Sequence, residues 1–341
     1  MDTVSELGLV WAKLILCGGA IAVAGTLLTR YADVIADKTG WSGAWVGLVL
    51  LATITSLPEL ATGITSVTLA DAPDVAVGNV LGACVLNLSY VALLDLLKRG
   101  EPLFRCAGLE HMALAGFGVV MLGPVGLGLA IAQLPLAHGL GHVGWYTPAL
   151  LLLYPLAVRS ISRLERSGLS IQPGRVASRY PDMSLRKAAL RCLAAAAVVV
   201  AAGSWLPFIA TELAASMQWT RSFVGTLLVA FVTSLPELVV TLSAMRLGAI
   251  DMAIANLLGS NMFNVMILAI DDVFYVRGPL LGAVSPIHAI SVMSAVTMSG
   301  VVIIALLTRP TGRALHLASW SGVALGCVYV INAYLLFRYS A

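Results

Sequence analysis

The hexapeptide TSLPEL occurs at residues 55–60 and again, letter for letter, at 233–238, each time inside an otherwise apolar stretch. The offset is 178 residues (233 − 55), and at that offset Trp41, Gly47 and Ala52 fall on Trp219, Gly225 and Ala230. After a one-residue deletion the match resumes. PDVAVGNVLGACVLN (73–87) lies over IDMAIANLLGSNMFN (250–264), pairing Asp74 with Asp251, Asn79 with Asn256, Gly82 with Gly259 and Asn87 with Asn264. The chain therefore carries two copies of one unit, and its fold must be one that two such copies build together.

The medium for that fold follows from composition. Of 341 residues, 59% are hydrophobic and 11% charged, against about 25% charged in a soluble domain. Apolar runs long enough to cross about 30 Å of hydrocarbon as helix recur at 8–29, 43–69, 75–97, 107–133, 144–160, 188–210, 220–246, 250–275, 282–307 and 316–338. The expectation is an all-α integral membrane protein with ten transmembrane helices. The first run follows the acidic MDTVSE rather than a basic segment and has no small-residue cleavage site, so it reads as a retained span. The five cysteines (17, 84, 106, 192, 327) are scattered, with no CxxC, and suggest neither zinc nor a disulfide framework.

Placement of charge gives the orientation. The polar stretch 158–191, between the fifth and sixth runs, holds Arg159, Arg163, Arg166, Arg175, Arg179, Arg186, Lys187 and Arg191. It has a lone aromatic, Tyr180, rather than an aromatic pattern, and no fold of its own, so a nucleic-acid partner is not indicated. The positive-inside rule makes it cytoplasmic. The other loops on that side then hold Arg30, Lys38, Lys98, Arg99, Arg105, Arg246, Arg309 and Arg313, leaving Lys13, Arg221, Arg277 and Arg338 opposite. Both termini are expected outside. The chain divides into a first five-helix repeat (1–160), a basic cytoplasmic linker (161–187) and a second five-helix repeat (188–341). Because five is odd, the second repeat enters the membrane from the other side. Inverted-topology repeats are an architecture of transporters, whose substrates bind near the midplane at interrupted helices.

Each TSLPEL supplies such an interruption. Pro58 removes an N–H donor and frees the carbonyl of Ile54; Pro236 does the same for Val232. Non-helical backbone at membrane depth is tolerated only where protein buries it or it lines a wet cavity. Beside each break stand two hydroxyls (Thr55 and Ser56; Thr233 and Ser234) and a carboxylate (Glu59; Glu237). Thr55 and Glu59 are four residues apart and share a helix face, as do Thr233 and Glu237. Ala83 and Asn87, and Ser260 and Asn264, repeat that spacing in the next span. Carbonyl, hydroxyl and carboxylate oxygens are the ligands hard cations take. An ionised carboxylate at mid-bilayer costs about 2.5–3.5 kcal/mol on an insertion scale, and neither TSLPEL helix carries a cation within a turn or two of its glutamate. Two carboxylates brought together repel unless a divalent ion, several monovalent ions or a proton compensates them.

The remaining polar residues read more plainly. Asp74, Asp251, Asp95, Asp271 and Asp272 sit near span ends, as solvated or capping groups, with an ion-access role open for the corresponding pair Asp95 and Asp272. Arg246, nine residues beyond Glu237, reads as a cap on the cytoplasmic end of its helix. His138 and His142 are four apart, but Gly139 and Gly141 between them disfavour the helix a shared metal would need. His111, His288, His316, Glu110 and Glu212 read as interfacial.

These residues resemble the alpha repeats of the cation/calcium exchanger superfamily, in its prokaryotic sodium/calcium antiporter branch. The layout agrees over all ten spans, and the specific motifs occupy about 47–94 and 225–271. The resemblance implies that Glu59 and Glu237 bridge a Ca²⁺ site, assisted by Thr55 and Thr233. It further implies flanking Na⁺ sites formed by Ser56, Ser234, the carbonyls of Ala52 and Ala230 and the first hydroxyl of each GSN element. Asn87 and Asn264 complete the set, Asn264 standing where some relatives carry aspartate. In the first repeat GSN has become GAC, so Ala83 offers no hydroxyl where the second repeat has Ser260, and Cys84 replaces asparagine. The function implied is exchange of Ca²⁺ for Na⁺ by alternating access, without ATP or another cofactor, in a prokaryotic cytoplasmic membrane; a proton or another divalent cation is the alternative cargo. No HExxH, GxGD or GxxxxGK[ST] motif points to a hydrolase or a pump.

Overall fold

The computed structural model describes residues 3–39, 51–98, 103–108, 110–132, 139, 141–164, 180, 182–310, 313–314 and 318–339. Trp41, Gly47 and His138, the start of the second run and most of the basic linker lie outside them. The described residues form helices α1 (Thr3–Thr39), α2 (Ala52–Thr55), α3 (Leu57–Thr68), α4 (Pro73–Leu97), α5 (Leu103–Cys106), α6 (Glu110–Ile131), α7 (Tyr146–Leu164), α8 (Leu185–Met217), α9 (Arg221–Phe223), α10 (Ala230–Thr233), α11 (Leu235–Arg246), α12 (Ile250–Phe274), α13 (His288–Thr308) and α14 (Trp320–Arg338). A π-helical turn, Val224–Val229, joins α9 to α10, and a two-residue hairpin, β1 (Arg313–Ala314) with β2 (Ala318–Ser319), precedes α14.

Seven of these helices are long and apolar enough to cross a membrane, and the bent segment Arg221–Arg246 makes an eighth. This is an all-helical membrane fold. Its layers follow from burial. In α4 and α12, 72% and 78% of the most apolar window is buried, against 33% in α1 and α8, so α4 and α12 form the centre. They lack an amphipathic face because protein surrounds them on all sides. At 37 and 33 residues, α1 and α8 run to about 55 and 50 Å at 1.5 Å per residue. That exceeds the hydrocarbon thickness of about 30 Å. They pack along each other in opposite directions: Lys13 pairs with Glu212 at one end, and Arg191 stacks on Tyr31 at the other.

Small residues bring the outer helices onto the breaks. A β-carbon at Gly25 of α1 would collide with the ring of Pro236, and one at Gly203 of α8 would press on the Pro58 carbonyl and Ala61. Thr62 also donates to the Gly203 carbonyl at 2.9 Å. Centrally, α4 lies so close to the π-helical turn that a β-carbon at Gly82 would meet the Thr226 carbonyl.

Candidate functional site

Both hexapeptides break their helix at serine. Ser56 (φ −87°, ψ 12°) separates α2 from α3, and Ser234 (φ −86°, ψ 10°) separates α10 from α11, with a bend of 44° at the second break. The chain restarts as helix with proline in the first turn, where a missing N–H leaves nothing unsatisfied. Glu59 and Glu237 also fall in that first turn, where the positive end of the helix dipole favours an anion. Both are completely buried, and no ion pair to either occurs among the described residues.

The hydroxyls cross between the two copies. Ser56 Oγ donates to Glu237 Oε1 at 3.2 Å, and Ser234 Oγ donates to Glu59 Oε1 at 3.1 Å. Thr55 likewise faces Glu237, and Thr233 faces Glu59. The i, i+4 spacing suggested that each threonine serves its own glutamate; instead each copy's hydroxyls serve the other's. The two carboxylates lie close enough to repel.

Asymmetry enters through Ala83. Thr55 Oγ1 shares a hydrogen bond with Ser260 Oγ at 3.2 Å, but Ala83 gives Thr233 no such partner, and its hydroxyl donates to Asn79 Oδ1 at 2.8 Å. The carbonyls of Ala52 and Ala230 each accept a serine N–H, and a threonine hydroxyl oxygen lies 3.3 Å and 3.2 Å from them respectively. Asn87 Nδ2 donates to Asn261 Oδ1 at 3.0 Å, and Asn261 Nδ2 donates to the Cys84 carbonyl at 3.1 Å. Asn261 escaped the sequence reading. The signal for it was the substitution of its counterpart by Cys84.

Among the buried side-chain oxygens without a hydrogen-bond partner among the described residues are four that belong to the repeated motifs: Oε2 of Glu59, Oε2 of Glu237, and Oδ1 of Asn87 and Asn264. Native interiors rarely leave such groups unsatisfied. They are carboxylate and amide oxygens, the ligand types a hard cation takes.

Of the aspartates expected near span ends as solvated or capping groups, Asp95, Asp271 and Asp272 are buried, and Asp95 and Asp272 act as caps. Asp95 accepts from Leu103 N and Ser319 N; Asp272 accepts from Leu280 N, Gly144 N, Tyr146 Oη and Thr147 Oγ1. Each thus holds the start of a helix distant in sequence, α14 for Asp95 and α7 for Asp272. Asp271 is fully buried with neither oxygen bonded. His111 and His288, expected at the interface, are buried too, each 3.0 Å from an aspartate: His111 from Asp251, His288 from Asp74. Asp251 also accepts Gly108 N, and Asp74 accepts Ser285 N, so one clasp occurs twice at a constant offset. Glu110 joins the first clasp to make a three-residue acidic and imidazole group, but the recurrence marks the arrangement as a helix-start clasp. His142 bonds the Val273 carbonyl, Glu212 pairs with Lys13, and Arg246 stands exposed in the last turn of α11.

Comparison with known proteins bears on this geometry. The chain is 27% identical over 259 residues to the inner membrane protein YrbG of Escherichia coli, covering 73% of this chain and 77% of that one. It is 40% identical over 116 residues to the sodium/calcium exchanger MaX1 of Methanosarcina acetivorans, a local match covering 33% and 30%. Among solved structures, the sodium-calcium exchanger NCX_Mj soaked with Na⁺ and Sr²⁺ matches at a TM-score of 0.57 and 20% identity, covering 95% of this chain and 98% of that one. Native YfkE matches at 0.66 and 17%, covering 95% and 92%. These likenesses show a common fold. The family model described as sodium/calcium exchanger protein matches residues 9–158 and again 187–338, one match around each broken helix. With that match spanning most of its length, this chain belongs to the sodium/calcium exchanger protein family.

Proposed function

We propose that this protein is a secondary antiporter that exchanges Ca²⁺ for Na⁺ by alternating access, with the ions held between Glu59 and Glu237. The observation that carries this reading is the set of four buried, unbonded oxygens on Glu59, Glu237, Asn87 and Asn264. Thr55, Thr233, Ser56, Ser234 and Ser260 line the same site, and the carbonyls of Ala52 and Ala230 lie one turn before its serines. Exchange follows from charge. The empty site carries two carboxylates facing each other in a low-dielectric interior, and moving it across the bilayer unloaded is unfavourable. One Ca²⁺ or several Na⁺ remove that penalty, so reorientation follows loading.

The reading includes an inverted pair of five-helix repeats with both termini outside and the 161–187 linker cytoplasmic. Its support is the antiparallel packing of α1 against α8, the first helices of the two repeats, together with the crossed serine–glutamate bonds. The missing hydroxyl at Ala83 favours a second reading, in which a proton replaces one Na⁺. Radiolabelled Ca²⁺ uptake into proteoliposomes tests both. Uptake driven by an outward Na⁺ gradient is the expected result; uptake driven only by a pH gradient selects the second reading, and passive Ca²⁺ flux without countertransport removes both.

A further inference from the structure

Helix α12 carries a carboxylate that the proposed exchange site does not use. Asp271 lies seven residues beyond Asn264 and eleven beyond Ser260, on the same stripe of the helix. It is fully buried, and neither oxygen has a hydrogen-bond partner among the described residues. Its carboxylate rests on the backbone of α3 at Gly63, one turn beyond Glu59, where a β-carbon would collide with both oxygens. At the constant offset that relates the aspartate clasps, its counterpart is Leu94, part of the hydrophobic core. The repeated packing of the fold therefore does not require an acid here.

Among the described residues no basic group is paired with it. Asp272, next in the chain, is occupied by four donors, one of them Tyr146 of α7, and Tyr275 follows one turn on. From α3 the facing titratable group is Glu59, a turn away. From α4 the group at this end is Asp74, held by His288 of α13, Ser222 and Ser285. From α11 it is Glu237; Arg246 is at that helix's other end. Helix α6 has Glu110 and His111 at its opposite end, with Asp251. Arg277, beyond α12, is exposed and paired with Asp71. A lone carboxylate with neither donor nor cation is not kept ionised in such surroundings, and one carboxylate without further oxygens is no cage for a metal ion. A proton meets both conditions.

We propose that Asp271 is a proton-binding site, protonated while buried between α3 and α12 and releasing its proton to water when those helices part on that side. On that side a cavity of about 270 Å³ is lined by Gly144 and Tyr146, two of the groups that hold the neighbouring Asp272, and by Tyr275. In the proposed orientation this is the outer side. The transport consequence rests on the exchange reading; the protonation itself does not.

The experiment has two arms on the purified full chain. Infrared spectra in saturating Ca²⁺, which keeps Glu59 and Glu237 ionised, are expected to show a carboxylic-acid C=O stretch that Asp271→Asn removes. In proteoliposomes at saturating Ca²⁺, exchange by the wild type is expected to slow roughly tenfold between about pH 8 and pH 6, within the tenfold per pH unit that one coupled proton permits. Asp271→Asn should change by less than about twofold over that range. An acid band that persists in the variant, or a wild-type pH profile in a variant that still exchanges, overturns the proposal. Asp271→Leu, which copies Leu94, replaces the asparagine variant if that one does not fold. A wild type that exchanges no Ca²⁺ defeats the exchange reading, and the infrared arm then decides the proton site alone.

Discussion

At the scale of single residues, the proposed exchange site would divide into groups that fix charge and groups that tune selectivity. Glu59→Gln and Glu237→Gln each remove half the fixed charge while keeping the shape and the serine hydrogen bond. Each is expected to abolish Na⁺-driven Ca²⁺ transport in proteoliposomes with little change in thermal midpoint; near-normal exchange by either variant would sink the assignment. Ala83 tests tuning. A serine there would give the Thr233 hydroxyl the partner that Ser260 gives Thr55, freeing it from Asn79. One hydroxyl ligand is worth about 1 kcal/mol, or roughly fivefold in affinity. Ala83→Ser should therefore strengthen Na⁺ inhibition of Ca²⁺ binding several-fold, leaving Ca²⁺ affinity without Na⁺ nearly unchanged, and Ser260→Ala should weaken Na⁺ inhibition. Equilibrium Ca²⁺ binding titrated with Na⁺ reads both; a shift in pH dependence alone would favour the proton instead. The glutamates, threonines and serines were legible because proline and acid repeat inside apolar sequence. Which hydroxyl meets which glutamate was not, since spacing along one helix says nothing of the helix opposite.

At the scale of elements, the breaks are held by what lies against them. Gly25 and Gly203 allow α1 and α8 to close on Pro236 and Pro58, each from the other half of the chain. A methyl group at Gly25 would strike a proline ring that cannot swing aside, whereas at Gly203 the nearest atom is a carbonyl oxygen at 3.0 Å. Overpacking of this kind costs about 1–3 kcal/mol. Gly25→Ala should lower the thermal midpoint of the detergent-solubilised protein and slow exchange, Gly203→Ala should do so less, and Gly19→Ala, with nothing within 4 Å, should be neutral or slightly stabilising through helix propensity. Equal effects at all three positions would refute the close-packing argument. The seven helices long and apolar enough to span, and the bent segment Arg221–Arg246, fall on apolar runs read from the sequence, because bilayer thickness sets helix length. The clasps were not readable in this way. Asp95, Asp272, His111 and His288 fall near span ends, where sequence suggests water, and only the return of a distant helix start supplies the N–H groups and aspartates that bury them.

At the scale of the whole molecule, the proposed inversion explains how one duplicated unit makes a site with two like halves facing opposite sides of the membrane. If the repeats were parallel, α1 and α8 would run in the same direction, and Lys13 could not reach Glu212 while Tyr31 lies under Arg191. An odd number of crossings per repeat is the simplest way for a short linker to achieve the reversal. The charges then choose which way round the pair sits, because Lys and Arg near span ends are retained on the cytoplasmic side, and the loops assigned there hold the large majority of them. Single cysteines placed at Ser170, in the basic linker, and at Leu140, between the fourth and fifth apolar runs, in a background lacking the native cysteines, report the two faces. Ser170→Cys should react with a membrane-impermeant thiol reagent only after the cytoplasmic face is exposed, and Leu140→Cys should react in intact cells. Labelling of both from one face would mean an even number of crossings between them, so that span count and inversion would fail together. Exchanged faces would keep the inversion and reverse only the orientation. Were the faces exchanged, the cavity beside Asp272 would open toward the cytoplasm, and the proton site at Asp271 would answer to cytoplasmic pH.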